Sequence, residues 1–139
     1  MYLVDTNVLS ALRRRREPNV LAWAGRTSSS DLFVSAVTIG EIERGIELQR
    51  KRNPDFAREL EDWLDVTLRV YGERILPVTG GIARRWGRLA ARLGNRSPDM
   101  MIAATALEHG LTVVTRNVSD FEPTGVSVFN PFSPGPELP

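Results

Sequence analysis

The sequence predicts an α/β fold, with a short, mostly parallel sheet flanked by helices on both faces. Three observations carry that expectation. Short strand-like runs, MYLV at 1–4, LFVS at 32–35 and LTVVT at 111–115, alternate with longer helical segments along the whole chain, the order of strand–helix–strand units. LTVVT is apolar and β-branched without alternation, as a strand covered on both faces is. No repeat or linker divides the 139 residues, which suffice for one domain with a real core and are too few for two ordinary ones.

Met1 to Asp5 reads as a strand ending on a carboxylate, followed by Thr6, Asn7 and a helix through VLSALRRRR. Asp5 there is either a helix N-cap or a functional acid, because Asp, Thr and Asn all cap helices. The run Arg13 to Arg16 closes the helix where its dipole favours cations. A solvated helix end is the plainer reading of that run, and contact with nucleic acid is the second. Pro18 opens the helix PNVLAWAGRT, with Val20, Leu21 and Trp23 as core, and Ser28 to Asp31 form a loop before LFVS.

The segment from Ala36 to Arg50, AVTIGEIERGIELQR, predicts a helix. At about 100° per residue, Val37, Ile39, Ile42, Ile46 and Leu48 define its apolar sector, while Glu43, Glu47 and Arg50 face solvent. Glu41 falls inside the apolar sector. A carboxylate there needs a cation, a set of hydrogen bonds or a raised pKa, so a functional role outweighs that of a tolerated boundary residue. Gly45, one turn on, predicts close approach of another backbone.

Asn53 and Pro54 start a further helix through residue 72, with Phe56, Leu60, Trp63, Leu64 and Leu68 on its apolar side; core packing is the plainer account of the apolar sides of helices 36–50 and 53–72, and a groove for a partner is the other. RILPV reads as a third strand. The next helix, TGGIARRWGRLAARLG, buries Trp86, Leu89 and Leu93 and carries Arg84, Arg88, Arg92 and Arg96 at four-residue intervals. A solvated stripe is the ordinary account of that spacing, a nucleic-acid-facing stripe the other. Ser97, Pro98 and Asp99 form the cap and first turn of an apolar helix ending at His109 and Gly110. LTVVT then delivers Thr115, Arg116, Asn117 and Asp120 to a turn at its carboxyl end, where open α/β sheets bind ligands. A last short strand, VSVFN, precedes a proline-rich ending, so a domain over 1–132 and a loose tail over 133–139 are expected.

Composition narrows the chemistry. The protein has no cysteine, one histidine (His109) and one lysine (Lys51). Paired-histidine catalysis, thiolate metal sites and phosphate-loop ATPases are thereby excluded. A formal charge of +1 leaves any nucleic-acid binding to local arginine patches. With no apolar run of membrane-spanning length and no signal peptide, a cytoplasmic protein is expected, without membrane partners.

Carboxylates remain as the reactive groups. Asp5 ends a strand, Glu41 intrudes on an apolar helix face, Asp99 opens a buried helix and Asp120 follows a strand. Strand carboxyl ends and helix starts of a parallel sheet lie along one edge, so the topology permits the four to converge there. Four acids in one crevice raise one another's pKa unless a cation lies between them. An oxygen-only set points to Mg²⁺ or Mn²⁺, and such an ion suits phosphodiester hydrolysis.

Together, DTN at 5–7, TIGEIERG at 38–45, SPDMMIAATALEHG at 97–110, TRNVSDF at 115–121 and NPF at 130–132 resemble a PIN domain. They are similar to the toxin components of VapBC-type toxin–antitoxin pairs, including the FitB-like branch. The resemblance runs over nearly the whole chain and implies a PIN-like three-layer sandwich. It makes Asp5, Glu41, Asp99 and Asp120 the acidic metal-site residues, with Thr6, Asn7 and Thr115 orienting them. Asn117 stands as an alternative to Asp120. The implied activity is that of a Mg²⁺-dependent endoribonuclease; the mechanism expected of the acid site is in-line attack of water on phosphorus, the 3′ oxygen leaving. Arg13 and Arg14, or Arg84, Arg88 and Arg92, would hold the RNA backbone. The implied partners are a second copy in a homodimer and a VapB-type antitoxin that carries the toxin to operator DNA. A receiver domain also gathers aspartates around Mg²⁺, but Lys51 stands too early to serve one. A DNA nuclease on the same site and an antitoxin-bound co-repressor with little catalysis are the remaining alternatives.

Overall fold

The computed structural model describes residues 1–134. Strands β1 (Tyr2–Val4), β2 (Leu32–Ser35), β3 (Ile75–Leu76), β4 (Thr112–Val114) and β5 (Val128–Phe129) form one sheet in the order β3-β2-β1-β4-β5. Every pairing is parallel, with Leu3 beside Phe33 on one side and Val113 on the other. The chain builds outward from β1 first in one direction and then in the other. The switch point therefore falls between β1 and β4, where the connections diverge and a crevice opens at the carboxyl ends.

The helices are α1 (Thr6–Arg14), α2 (Pro18–Gly25), α3 (Ala36–Arg52), α4 (Pro54–Tyr71), α5 (Gly80–Leu93), α6 (Pro98–His109) and α7 (Val118–Phe121). Alternation along the strands assigns them to layers. Val4 and Val114 point into a core with Val8, Val20, Trp23, Ile42, Ile46 and Leu64 of α1 to α4. Leu3 and Val113, their neighbours in the chain, point into the opposite core with Ile82, Leu89, Ile102 and Phe121. Helices thus cover both faces, and the expected three-layer sandwich is found.

Local chemistry starts the helices where the sequence indicates. Asn53 Oδ1 accepts from Phe56 N–H at 3.1 Å and Thr79 Oγ1 from Ile82 N–H at 3.2 Å, each satisfying one of the free amides of a first turn. Ser97 occupies the N-cap of α6 through its backbone, without a side-chain bond. Gly110 ends α6 at φ 66°, a left-handed conformation that suits glycine. A residue of less obvious role, Arg74, fastens the β3 edge by donating to the carbonyls of Ser29, Leu32 and Val70.

Several expectations need correction. The sector drawn on α3 spans about 200° at 100° per residue, wider than one packing face. Ile42 and Ile46 enter the core, and Leu48 at its far rim is 57% exposed. Gly45 has no neighbour within 4 Å of where a Cβ would stand, so no backbone approaches it. On α4, Leu64 is buried, Leu68 is exposed, and Phe56, Leu60 and Trp63 are only half-buried. Asp120 lies in the single helical turn of α7, not in an open turn. Of the expected tail over 133–139, residues 135–139 lie outside the described residues. Among the described residues no helix is long and apolar enough to cross a membrane.

Candidate active site

Asp5 occupies the carboxyl end of β1, at the switch point. It caps the N-terminus of α1 and is at the same time a buried acid. Its Oδ1 accepts from Thr6 N–H at 2.8 Å, and its Oδ2 accepts from the Thr115 hydroxyl at 2.8 Å and Asn7 Nδ2 at 3.4 Å. Thr115 follows β4, whose pairing with β1 brings the two residues together. Its hydroxyl also accepts from Asn117 N–H at 3.0 Å and Asn7 Nδ2 at 3.3 Å. Asn7 Oδ1 in turn accepts from Arg116 N–H at 3.1 Å. Every hydrogen-bonding capacity of the buried Thr115 hydroxyl is thus committed to holding Asp5 in place.

Glu41 joins this network from α3. The Thr6 hydroxyl donates to Glu41 Oε1 at 3.1 Å, so Thr6 alone carries one link to each of two carboxylates. Glu41 and Thr6 also border a groove of about 280 Å³ between α1, α3 and α4. Ile42, Ile46, Phe56, Leu60 and Trp63 line it, and Arg13 and Arg14 stand at its rim. The half-buried Phe56 and Trp63 of α4 are therefore groove wall, and Trp63 also packs against the core. The Arg13 guanidinium lies 5.6 Å from the Phe56 ring centroid and 6.0 Å from that of Trp63, within cation–π range. Gly45 lines the same groove, and its missing side chain keeps the floor open.

Asp99 enters from the first turn of α6 and Asp120 from α7. Electrostatics shows that the four acids share one field. Burial pushes the Asp99 carboxyl up to about 6, and the charges of Asp5, Glu41 and Asp120 push the same way. Burial likewise raises Asp5, against its hydrogen bonds from Thr115 and Thr6, with Asp120 adding repulsion. Glu41 is raised by burial and by Asp5, while the bond from Thr6 lowers it. Among the described residues, none of the four is paired with an arginine or lysine. A structural cluster of acids would ordinarily be neutralised by the protein's own cations; this one is not.

An uncompensated set of hard oxygen donors fits a hard divalent cation. Among the described residues no three acids stand close enough together to enclose an ion, so the set is spread around the crevice and is not a closed cage. Asn117 contributes its backbone amide to Thr115 and sits exposed at the start of α7, while Asp120 exerts its charge on Asp5 and Asp99. Arg84, Arg88 and Arg92 lie exposed on α5, outside this network.

Sequence reasoning brought Arg116 to the turn but missed its contacts: its guanidinium covers the Phe132 ring at 3.9 Å and reaches Glu17 at 3.6 Å. Together with the bond from Asn19 Nδ2 to the Phe132 carbonyl at 3.0 Å, it ties residues 130–132 to the start of α2. The NPF run was visible, but its partner lies far away in the chain.

With this geometry in view, comparison with known proteins decides the family. The PIN-domain family model matches residues 2–122. The chain belongs to the PIN-domain family. It is 34% identical to a VapC ribonuclease of Sinorhizobium fredii over 96% of this chain and 99% of that protein. It is 33% identical to the toxin FitB of Neisseria gonorrhoeae over 95% of this chain and 99% of that one. A solved structure of FitAB bound to an IR36 DNA fragment superposes with a TM-score of 0.85 at 31% identity, covering 99% of this chain and all of that one. For this PIN domain, Asp5, Glu41, Asp99 and Asp120 are thus four acids of one crevice on a family fold.

Proposed function

We propose that this PIN domain is a divalent-metal-dependent endoribonuclease, the toxin of a toxin–antitoxin pair. The observation that carries the reading is the acid crevice itself. Asp5, Glu41 and Asp99 are all raised above their ordinary values, first by burial and then by the charge of other acids in the set, with no basic side chain paired to them among the described residues. The names of the FitB and VapC relatives support the class of activity.

Asp5, Glu41, Asp99 and Asp120 would hold Mg²⁺ or Mn²⁺, which when bound supplies an activated water and neutralises charge on the phosphate. The chain's own groups do the rest. Thr115, Thr6 and Asn7 fix the rotamers of Asp5 and Glu41, so the acids need little reorganisation when substrate arrives. With a single histidine in the chain there is no histidine pair of the kind that drives attack by a 2′-hydroxyl, so hydrolysis by water leaving a 5′ phosphate is the expected outcome.

The partner is a small DNA-binding antitoxin that carries the toxin to operator DNA, as the FitAB–DNA structure supports. The groove beside Glu41, apolar in its floor and arginine-rimmed, suits an amphipathic segment of that antitoxin. The functional form is a cytoplasmic homodimer. Expression in a bacterial host tests the reading: growth arrest is expected, abolished by Asp5→Ala and relieved by the antitoxin. Full-speed growth with abundant folded protein would reject it, and equal cleavage of matched DNA would make the enzyme a general nuclease.

A further inference from the structure

The exposed face of α5 carries a pattern that neither the core nor the acid crevice uses. From Arg74 to Pro98 the chain has six arginines and no acidic residue, in a protein whose formal charge is only +1. Arg84, Arg88 and Arg92 are all exposed and recur every fourth position, so they climb one side of the helix in steps of about 6 Å. Among the described residues none of the three enters an ion pair. Arg85, one position round the helix, is by contrast held by Glu108 at 3.0 Å.

A second row lies beside the first. Ala83, Gly87 and Ala91 are exposed and each precedes one of the arginines. Gly87 stands in mid-helix, where glycine weakens the helix relative to alanine. No atom of the protein lies within 4 Å of where its Cβ would be. Nothing inside the molecule requires that missing side chain, whereas a chain approaching from outside would. The two rows form a flat lane edged by free guanidinium groups.

The lane has a direction. Helices α5 and α6 are joined by residues 94–97 and pack as a hairpin, since Arg85 near the start of α5 meets Glu108 near the end of α6. The far end of α5 therefore lies beside the start of α6, which carries Asp99. Exposed Arg96 continues the row toward it.

We propose that this face of α5 is a track for the backbone of single-stranded RNA, leading the strand into the acid crevice; the inference rests on the ribonuclease reading above. Forked guanidinium donors at regular spacing match successive phosphates. A second copy of the chain docked here would set one arginine row against another, and like charge opposes it.

Binding of a fluorescently labelled RNA oligonucleotide, measured by anisotropy in EDTA across a KCl series, tests the track without cleavage. Replacing Arg84, Arg88 and Arg92 together by alanine is expected to reduce the log–log salt slope by about 2, at roughly 0.7 for each phosphate no longer neutralised, and to weaken binding about tenfold. The triple variant Arg26→Ala, Arg44→Ala, Arg69→Ala, exposed elsewhere, keeps the parental slope. Gly87→Leu is expected to raise the thermal midpoint of the free protein yet weaken RNA binding severalfold. A parental slope in the α5 triple variant, parental affinity in Gly87→Leu, or a dimer-to-monomer shift in either variant with RNA binding intact would overturn the track. A parent protein that neither binds nor cuts RNA defeats the ribonuclease reading itself. A parent that cuts RNA alongside an unchanged triple variant defeats the track alone.

Discussion

The Thr115 hydroxyl donates a 2.8 Å hydrogen bond to Asp5 Oδ2, joining the carboxyl ends of β4 and β1 across 110 residues of sequence. Both groups are buried, and the hydroxyl accepts two further bonds from Asn117 and Asn7. Thr115→Val preserves shape and removes all three. The expected loss is about 1–3 kcal/mol of stability, the cost of leaving buried polar groups without partners. Asp5 loses a donor that lowers its pKa, so the pH–rate profile for RNA cleavage shifts upward. Urea unfolding and a pH–rate series measure the two effects, and Thr115→Ser should restore both.

Asp99 predicts the pH dependence of stability. Its carboxyl is pushed up to about 6 in the folded protein, against an ordinary value of 3.8. The folded state therefore binds the proton more tightly than the unfolded chain. Its stabilising contribution is present below the ordinary value and is lost as pH rises through about 6. In EDTA the thermal midpoint should fall between pH 4.5 and pH 7, and Asp99→Asn should flatten that part of the curve. A midpoint that rises over this range in the parent and is unaffected by Asp99→Asn would contradict the assignment.

Gly45 gives a prediction of opposite signs for stability and binding. Nothing within the protein occupies the space beside it, and it lines the groove with Ile42, Ile46, Phe56, Leu60 and Trp63. Gly45→Leu gains helix propensity and should stabilise the free protein by up to about 1 kcal/mol. It also fills the groove, so affinity for the antitoxin should fall about tenfold, equivalent to about 1.4 kcal/mol. Thermal melts and calorimetric titration separate the two. Unchanged antitoxin affinity would move the antitoxin to another surface.

These residues also show what a linear reading can reach. The acids Asp5 and Asp99 were legible because each sits on a local signal, a strand end or a helix start. Glu41 was legible as a charge on an apolar helical arc. The bond from Thr115 to Asp5 was not, since it depends on β4 pairing with β1, and strand order is a long-range property. Periodicity puts Leu48, Phe56 and Trp63 on apolar helix faces without saying whether core or a partner covers them. Here α3 and α4 leave part of that face as a groove. Gly45 misled for the same reason: a missing side chain signals needed space, whether a neighbour within the chain fills it or not.

RNA cleavage by this protein is expected to need its four carboxylates acting together. The most direct measurement is cleavage of an end-labelled RNA by purified protein, with Mg²⁺ titrated from an EDTA-treated start. Cleavage that requires the ion, leaves 5′ phosphates and drops about a hundredfold or more in Asp99→Asn is the predicted result. Equal cleavage by Asp99→Asn and parent at saturating Mg²⁺, or full activity in EDTA, would contradict it.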